Sequence, residues 1–468
     1  MRFTIKLTID DGNSTETIEE VISFNKGFSG HDIVGLSLQE SKQILKIVQS
    51  KIISEQAKKY IASKRICSCC GKKLNIKGYH PIQYRTLFGI VNLQSPRLLC
   101  CTCNEDTKTK SFSPLSEWFQ DKNSPELQYI ETKWASLISF EQTANLLKNV
   151  LPVGQTENAS TVRNHLQHIA MRQEKELIGK PEYISLCQNE LDKFPKPGKP
   201  ITVGIDGGYL QNWHAKNKNF EIIAGKSFSK TQLPKRFGFI QKCDDHPKRR
   251  IMNVLVNQGM QPNQQITFLS DGADNLRELQ CMMYPESEHV LDWFHIAMRI
   301  TVLNQFSKGL IKSDEKEGFE FQKKLESTKW YLWHGNVEKA LDLIEDCTMI
   351  ADDDEIKYHN RKKLVRHLEE FNTYIENNSN LIVNYGEKWR FGETISTAFV
   401  ESTINEVVAK RMAKKQQMQW THEGAHYLLQ TRTAVLNNEL HEHFKRWFPG
   451  FGINNHASKL VVEMGKAA

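Results

Sequence analysis

The stretch Gln265-Ile266-Thr267-Phe268-Leu269-Ser270-Asp271-Gly272-Ala273-Asp274 joins a short apolar run to a carboxylate and a glycine. Such a run, bounded by turn residues, predicts a buried strand, and Gly272 favours a tight exit from it. We therefore expect Asp271 at the carboxyl end of a central strand, where open α/β sheets bind their ligands. An aspartate at this position could instead cap the helix that is predicted to begin near Asp274.

Two further carboxylates have comparable surroundings. Ile201-Thr202-Val203-Gly204-Ile205-Asp206-Gly207-Gly208 is a second β-branched run, which predicts a strand that ends at Asp206. Glu401 borders an apolar stripe at helical spacing, formed by Val400, Ile404, Val407 and Val408. A helix that packs on the sheet through this stripe would direct Glu401 toward the strand ends. Asp206, Asp271 and Glu401 could then share two hard divalent cations, as in enzymes that catalyse phosphoryl displacement.

The composition indicates a soluble protein of several domains. A length of 468 residues predicts about three domains, and 39% hydrophobic with 25% charged residues is typical of globular proteins. A formal net charge of +7 and a pI of about 8.7 allow nucleic-acid binding without requiring it. Neither an apolar secretory segment nor a run of membrane-spanning length is present, so we expect an intracellular protein that does not bind membranes.

Six of the ten cysteines lie between Cys67 and Cys103. Clustered CxxC pairs in a protein without an export signal favour a metal site over disulfides. Four thiolates suit one tetrahedral structural zinc, and Tyr84–Leu93 could form the hairpin that joins the two pairs. The predicted ligands are Cys67, Cys70, Cys100 and Cys103. Free thiols are the alternative, and Cys69 or Cys101 could replace a neighbour in the ligand set.

Residues 126–178 predict three helices, the third opening at Ala159. A short helix, a polar turn and a helix whose early positions are polar are typical of a helix-turn-helix. Ser160, Arg163 and Asn164 would then reach base edges, with Gln167 a further candidate. A small helical bundle with a solvated polar face is the alternative.

Further along, Lys193–Pro200 carries three prolines and a glycine, which predicts an extended basic linker. Strands are expected over Tyr209–Trp213 and Phe220–Phe228, then a helix and the Asp271 strand, which is the element order of an RNase H-like sheet. A wholly helical region follows, with Trp330, Trp333 and Trp389 as expected packing anchors. Basic residues after Glu401 could contact DNA phosphates or form a solvated face; they are Lys410, Arg411, Lys414 and Lys415.

Taken together, these features predict an α+β multidomain protein. Its expected parts are an N-terminal β-hairpin and helix (1–62), a zinc ribbon (63–115), a helix-turn-helix DNA-binding domain (116–192), a linker (193–200), the first part of an RNase H-like α/β catalytic core (201–300), an all-helical insertion (301–392), the second part of the core (393–445) and a C-terminal tail (446–468).

The chain resembles the DDE transposases of bacterial insertion sequences, in particular the Mutator-related branch of the IS-Kra type. The resemblance rests on the order Asp206, Asp271, Asp292-x-x-His295, helical insertion and Glu401, and on the segments IDGG, SDGAD, LDWFH and VESTINEVVAKRM. It covers most of the chain. Ser402 stands where many relatives carry glycine.

This resemblance implies cleavage at the terminal inverted repeats of a mobile element, followed by joining of the freed 3′-hydroxyl to target DNA. Asp206, Asp271 and Glu401 would bind two Mg²⁺, which Mn²⁺ could replace, beside one structural Zn²⁺. Asp292 and His295 would form the D-x-x-H pair, acting through hydrogen bonds or DNA contacts; His295 could instead be a core histidine. Double-stranded DNA is the implied partner, bound by a homodimer or larger assembly in the bacterial cytoplasm, at the nucleoid.

Two other functions fit the same residues. The first is a DNA-binding regulator whose RNase H-like domain no longer catalyses a reaction. The second is a stand-alone DNA nuclease that cuts without strand transfer. The presence of all three acids argues against the regulator.

Overall fold

The computed structural model describes most of the chain as two compact units of mixed α and β structure. The units are Met1–Ala170 with Asn438–Ala468, and Met171–Asn437. None of the described helices has the length and apolarity needed to cross a membrane. The described residues are 1–452 apart from 11–15, 28–29, 32–33, 102, 104–110, 181–189, 191–192, 196–199, 216–217, 230–231, 284–286, 397–402 and 413–417.

The first unit begins with the expected hairpin and helix. β1 (Arg2–Asp10) pairs antiparallel with β2 (Glu16–Asn25). α1 (Leu38–Lys64) starts after a capping box, in which the Ser37 hydroxyl accepts the Glu40 amide N–H and the Glu40 carboxylate accepts the Ser37 amide N–H. This reciprocal pair satisfies two of the amides that a helix leaves unpaired at its start.

A three-stranded sheet and a helical region complete this unit. β3 (Ile76–Thr86), β4 (Gly89–Leu99) and β5 (Ser111–Phe112) pair in that order, followed by α2 (Pro114–Trp118). The predicted hairpin is therefore present and longer than expected. The three expected helices are α3 (Pro125–Ala135), α4 (Phe140–Val150) and α5 (Ala159–Gly179).

A mixed sheet forms the centre of the second unit. Its elements are β6 (Ile201–Asn212), β7 (Asn219–Phe228), β8 (Lys235–Phe239), α6 (Pro247–Asn257), β9 (Ile266–Ser270), α7 (Asp274–Met283) and β10 (Glu288–Leu291). The strand order is β10-β9-β6-β7-β8, in which β6, β9 and β10 are parallel and β7 is antiparallel to both neighbours.

The prediction that a strand ends at Asp206 was wrong. β6 continues to Asn212 because β7 pairs with it from Thr202 to Gln211, so Tyr209–Trp213 is not a separate strand. The third antiparallel strand is β8, which was not predicted from the sequence.

Five helices follow β10, as expected for the helical region. They are α8 (Trp293–Ser313), α9 (Glu315–Trp333), α10 (Val337–Ala351), α11 (Arg361–Asn377) and, after a short 3₁₀ turn, α12 (Tyr385–Arg390). Trp333 packs edge-on against Trp293, with ring centroids 4.9 Å apart. Trp330 and Trp389 are not packing anchors, since they are 62% and 65% exposed. Trp330 lies between the buried positions Thr328 and Leu332 of α9 and so faces outward.

The second unit ends with a π-helical turn (Asn405–Ala409), α13 (Lys410–Met412), β11 (Gln419–Trp420) and α14 (His422–Leu436). α15 (Leu440–Trp447) belongs to the first unit, where Phe444 packs edge-on against Tyr129.

The division between the units falls inside α5, well before the predicted linker. The division falls there because the C-terminal end of α5 contacts α6 of the second unit. The Glu174 carboxylate binds Arg250 at 2.8 Å, and the Lys180 ammonium donates to Asn253 at 2.6 Å.

Candidate functional site

Asp206 and Asp271 lie where β6 loses its pairing with β9. The two strands pair only from Ile201 to Gly204, because β9 ends at Ser270. Asp206 is two residues past the last pair, and Asp271 directly follows β9. Although Asp206 is in mid-strand, its surroundings are therefore those of a strand end.

Asp292 joins these two acids from the neighbouring strand. Its amide N–H donates to the Ser270 carbonyl at 2.8 Å, and its fully buried carboxylate caps α8 by accepting the Phe294 N–H at 2.9 Å. The His295 Nε2 lies 3.5 Å from the Asp292 Oδ2. The D-x-x-H pair is thus a helix cap and a histidine in the first turn of that helix.

Charge interactions indicate that these side chains lie near one another. Burial and then the charge of Asp271 raise the pKa of Asp206 to about 6. The charge of Asp292 acts in the same direction, whereas His295 and the Gly207 N–H, 2.8 Å from Asp206 Oδ1, lower this pKa. A carboxylate whose pKa is raised by neighbouring acids is in a suitable environment for a hard cation, because the cation relieves the repulsion.

Glu401, the expected third acid, lies outside the described residues, as do Lys414 and Lys415. Within the described ranges, the four cysteines discussed below are the only group of three or more metal-ligating side chains that converge closely. Asp206 and Asp271 therefore form a pair of acids, and Asp292 and His295 lie near them.

The raised pKa of Asp206 predicts a stability effect. The folded protein binds this proton more tightly than an unfolded chain with the ordinary pKa of 3.8. The carboxyl therefore stabilises the fold below about pH 4, and this stabilisation is lost as the pH rises through about 6. In Mg²⁺-free buffer at pH 8, we expect Asp206→Asn to be more stable than the wild type, by on the order of 2 kcal/mol.

Thermal melting from pH 4 to pH 8 measures this effect. The difference between the two proteins should shrink toward pH 4, and Mg²⁺ should raise the melting temperature of the wild type more than that of the variant. Identical melting curves at pH 8 would contradict the shift.

Hydrogen bonds of residues that were not predicted from the sequence stabilise the turn after β9. The Ser270 hydroxyl accepts the Gly272 N–H at 3.1 Å and is hydrogen-bonded to His289 Nε2 at 2.8 Å. Gly272 has a φ of +86°, and a Cβ there would lie 2.0 Å from Asn378 Oδ1. Only glycine fits this turn without strain. Burial, with the nearby Arg277 charge, lowers the pKa of His289 to about 4, so its ring is neutral.

Helices of the inserted region also bind the strand ends. The Tyr374 hydroxyl donates to the Asp271 carbonyl at 3.0 Å, and the Tyr385 hydroxyl donates to the Leu291 carbonyl at 2.8 Å. Asp271 and Tyr374 are 103 residues apart. No local pattern in the sequence signals such a contact.

The basic residues after Glu401 divide into two kinds. Lys410 is exposed, as a DNA contact requires. Arg411 is only 3% exposed, and its guanidinium lies 5.6 Å from the Trp420 ring centre. It is placed four residues after the buried Val407 and so shares the inward helical face. The expectation that Arg411 contacts DNA is therefore not supported.

A second candidate site is a cluster of four thiols in the first unit. The Sγ atoms of Cys67, Cys70, Cys101 and Cys103 all lie within 4.8 Å of one another. Cys67 and Cys103 are 3.5 Å apart, and Cys70 and Cys101 are 3.3 Å apart. Tetrahedral zinc with Zn–S bonds of about 2.3 Å needs sulfur atoms about 3.8 Å apart. The cluster could therefore hold a structural metal such as zinc.

The first two thiols lie on a tight turn. The Gly71 N–H donates to the Cys67 carbonyl and the Cys67 N–H to the Lys72 carbonyl, both at 2.9 Å, and Gly71 has a φ of +70°. The backbone N–H groups of Cys70 and Cys69 lower the pKa of Cys67 to about 6. Amides that stabilise a thiolate also favour metal binding, because the thiolate is the ligand.

Cys101, and not Cys100, is the third thiol of this cluster. Cys100 is not among the four thiols that converge. The CxxC spacing had favoured Cys100 as a ligand. The structure selects the replacement by Cys101 that the sequence left open.

The residues expected to read DNA bases lie early in α5. Ser160, Arg163 and Asn164 are exposed. His165, in contrast, is hydrogen-bonded to the buried Glu131, and Glu157 of the same cluster binds Arg85 at 2.6 Å. These buried charges attach α5 to α3 and β3.

Comparison with known proteins adds no identification. No family model matches the chain, and no curated protein matches it.

Proposed function

We propose that the protein is a transposase that binds the terminal inverted repeats of an insertion sequence and cuts and joins DNA by a two-metal mechanism. The observation that carries this proposal is the position of Asp206 and Asp271, just past the paired part of β6 and β9, where the charges of Asp271, Asp292 and His295 all act on Asp206. The four residues come from three parts of the chain and appear in the order that the resemblance requires.

The strand order supports an RNase H-like core. Three consecutive antiparallel strands (β6, β7 and β8) are followed by a helix and by β9, which is parallel to β6 and lies on its other side. The long helical region then enters after β10, between the second acid and Glu401. Open α/β sheets bind their ligands at the carboxyl ends of the parallel strands; Asp271 follows the end of β9, and Asp206 lies in β6 two residues past its last pair with β9.

The described residues on either side of Glu401 support its role as the third acid. The Ile395 carbonyl accepts the N–H of Trp293, the residue after Asp292, at 3.2 Å. A Cβ on Gly208, on the same face of β6 as Asp206, would lie 3.7 Å from Ile404. Position 401 is three residues before Ile404, a span of at most about 11 Å. The described chain before residue 397 thus contacts the residue after Asp292, and the described chain after residue 402 lies beside Gly208 of β6; the role of Glu401 itself rests on the resemblance.

In this mechanism Asp206, Asp271 and Glu401 would hold the cations through carboxylate oxygens. Two bound Mg²⁺ would lower the pKa of the attacking water or hydroxyl and stabilise the leaving 3′-oxygen. Asp292 caps the start of α8. The cap places His295 beside the carboxylates of Asp206, Asp271 and Asp292, which we call the acid cluster. The Ser270–His289 pair and Gly272 fix the turn that carries Asp271.

The direct test uses DNA that carries the inverted repeats flanking the gene. We expect Mg²⁺-dependent nicking at the repeat ends, and joining of a pre-cleaved 3′ end to a second duplex. Nicking without joining would indicate a stand-alone nuclease. End binding without nicking, under any divalent cation, would indicate a regulator.

Binding of the ends should depend on the exposed early positions of α5. We expect Arg163→Ala to weaken end binding by about 10- to 100-fold, the cost of one bidentate base contact. Fluorescence anisotropy with cognate and scrambled duplexes measures this loss. Lys316→Ala, at a side chain that is 88% exposed in the helical region, is the matched control. Equal affinity of Arg163→Ala and wild type would contradict the helix-turn-helix assignment.

A further inference from the structure

α8 presents a second basic residue on the side that faces the acid cluster. Arg299 lies four residues after His295, and residues four apart share one face of a helix. His295 approaches Asp292 at 3.5 Å. Arg299 is therefore one helical turn further from the strand ends, on the same side as His295. Its side chain is exposed.

Arg299 is held there by an aromatic stack. Its guanidinium carbon lies 4.1 Å from the centre of the Tyr374 ring. Tyr374 is in turn fixed by its hydrogen bond to the Asp271 carbonyl at 3.0 Å. One tyrosine ring thus separates the guanidinium from the backbone of a proposed metal ligand.

The contact with Tyr374 uses only part of the hydrogen-bonding capacity of the guanidinium. Arg299 is also hydrogen-bonded to the Tyr374 side chain. A guanidinium carries five N–H donors, so further donors remain for a ligand. Those donors form a fork that matches two oxygens of a phosphate. The stack also restricts an otherwise flexible side chain, so less entropy is lost when the fork binds.

The acid cluster, formed by Asp206, Asp271 and Asp292, carries negative charge that a nearby guanidinium could offset. The negative charges of Asp271 and Asp292 act on Asp206, and a phosphodiester that approaches these carboxylates is repelled. A fixed cation at the edge of the cluster offsets this repulsion for the substrate.

We propose that Arg299 binds a phosphodiester of the DNA strand that is cut at the acid cluster, and that Tyr374 is a positioning residue for this contact. The inference rests on the proposed function and extends it, since it gives the inserted helices a part in substrate binding. An alternative role for Arg299 is balance of the Asp271 and Asp292 charges, which would affect stability but not substrate binding.

The experiment compares Arg299→Ala, Arg299→Lys and Tyr374→Phe in the full-length, zinc-containing protein. One arm measures kcat and KM for nicking in Mg²⁺, and the other measures the Kd for the same DNA in Ca²⁺ across salt concentrations. Arg366→Ala is the control, because Arg366 is a surface residue of α11 that pairs with Glu370. Thermal melting identifies variants that fail to fold.

We expect Arg299→Ala to lower kcat/KM by about 10- to 100-fold, the value of charged hydrogen bonds to one phosphate. The slope of log Kd against log salt concentration should decrease by about 0.9. Arg299→Lys should recover part of the affinity, since it keeps the charge and loses the fork. Tyr374→Phe keeps the ring, so we expect a smaller loss, chiefly in KM.

Other outcomes would overturn the inference or the function separately. If the wild type nicks DNA and Arg299→Ala matches it in kcat/KM and salt slope, Arg299 does not bind substrate, whatever its melting temperature. If the wild type binds but never nicks, the proposed function fails. The Ca²⁺ arm then still decides whether Arg299 contacts DNA, because an unchanged Kd and slope would exclude the contact.

Discussion

Replacement of Asp206 by asparagine is expected to reduce Mg²⁺-dependent DNA cleavage by at least about 10³-fold, because loss of one metal-binding carboxylate removes stabilisation from both the attacking and leaving oxygens. End binding should stay within about twofold of the wild type, since phosphate and base contacts outside the acid cluster supply it. Asp271→Asn should behave in the same way. Cleavage of labelled repeat-end DNA and anisotropy of the uncleaved duplex measure the two quantities.

The matched control for this prediction is Asp274→Asn. Asp274 is an exposed acid in the first turn of α7, three residues from Asp271, and lies outside the proposed ligand set. Wild-type cleavage by Asp274→Asn, with loss of cleavage by Asp206→Asn, would exclude a general effect of removing negative charge. Cleavage by Asp206→Asn at the wild-type rate would end the two-metal proposal.

Loss of Cys101 is expected to abolish metal binding by the first unit, whereas loss of Cys100 should not. Structural zinc contributes on the order of 10 kcal/mol to the folding of small zinc domains. We therefore expect Cys101→Ser to be purified without zinc and to be cut by proteases between residues 65 and 103. Cys100→Ser should retain one zinc per chain and resist the protease. Metal analysis and mass spectrometry of the fragments provide the measurements.

This pair of variants also decides between the two ligand sets. The two cysteines are adjacent and the substitutions are identical, so a difference in zinc content can only come from position. Zinc loss from Cys100→Ser with retention by Cys101→Ser would favour the set that CxxC spacing alone suggests. Equal retention by both would mean that neither thiol is an essential ligand.

Features set by neighbouring residues could be predicted from the sequence. The strand before Asp271 and the glycine turn after it each depend on a few consecutive residues, and the structure shows both. The helix cap formed by Asp292 is equally local but was not predicted. The exposed residues of α5 are a similar case, because helical periodicity alone separates them from the buried face.

Features set by distant parts of the chain could not be predicted in this way. The length of β6 depends on β7, and the open edge beside Asp206 depends on where β9 ends. Arg411 has the sequence context of a surface residue, yet the packing of Val407 turns its helical face inward. Arg299 and Tyr374 are more than 70 residues apart in sequence and meet across two helices, so no motif could indicate them.

The hydroxyls of Tyr374 and Tyr385, in the helical region after β10, donate hydrogen bonds to backbone carbonyls at the ends of two adjacent strands. The carbonyls are those of Asp271, just after β9, and Leu291, the last residue of β10. An insertion that only filled a loop could be shortened or exchanged without effect on the sheet. Here a chimera with a foreign helical domain would have to supply its own two donors, or leave two carbonyls without their donors. Substitutions or exchanges in the helical region after β10 therefore have to preserve these two hydrogen bonds to the sheet.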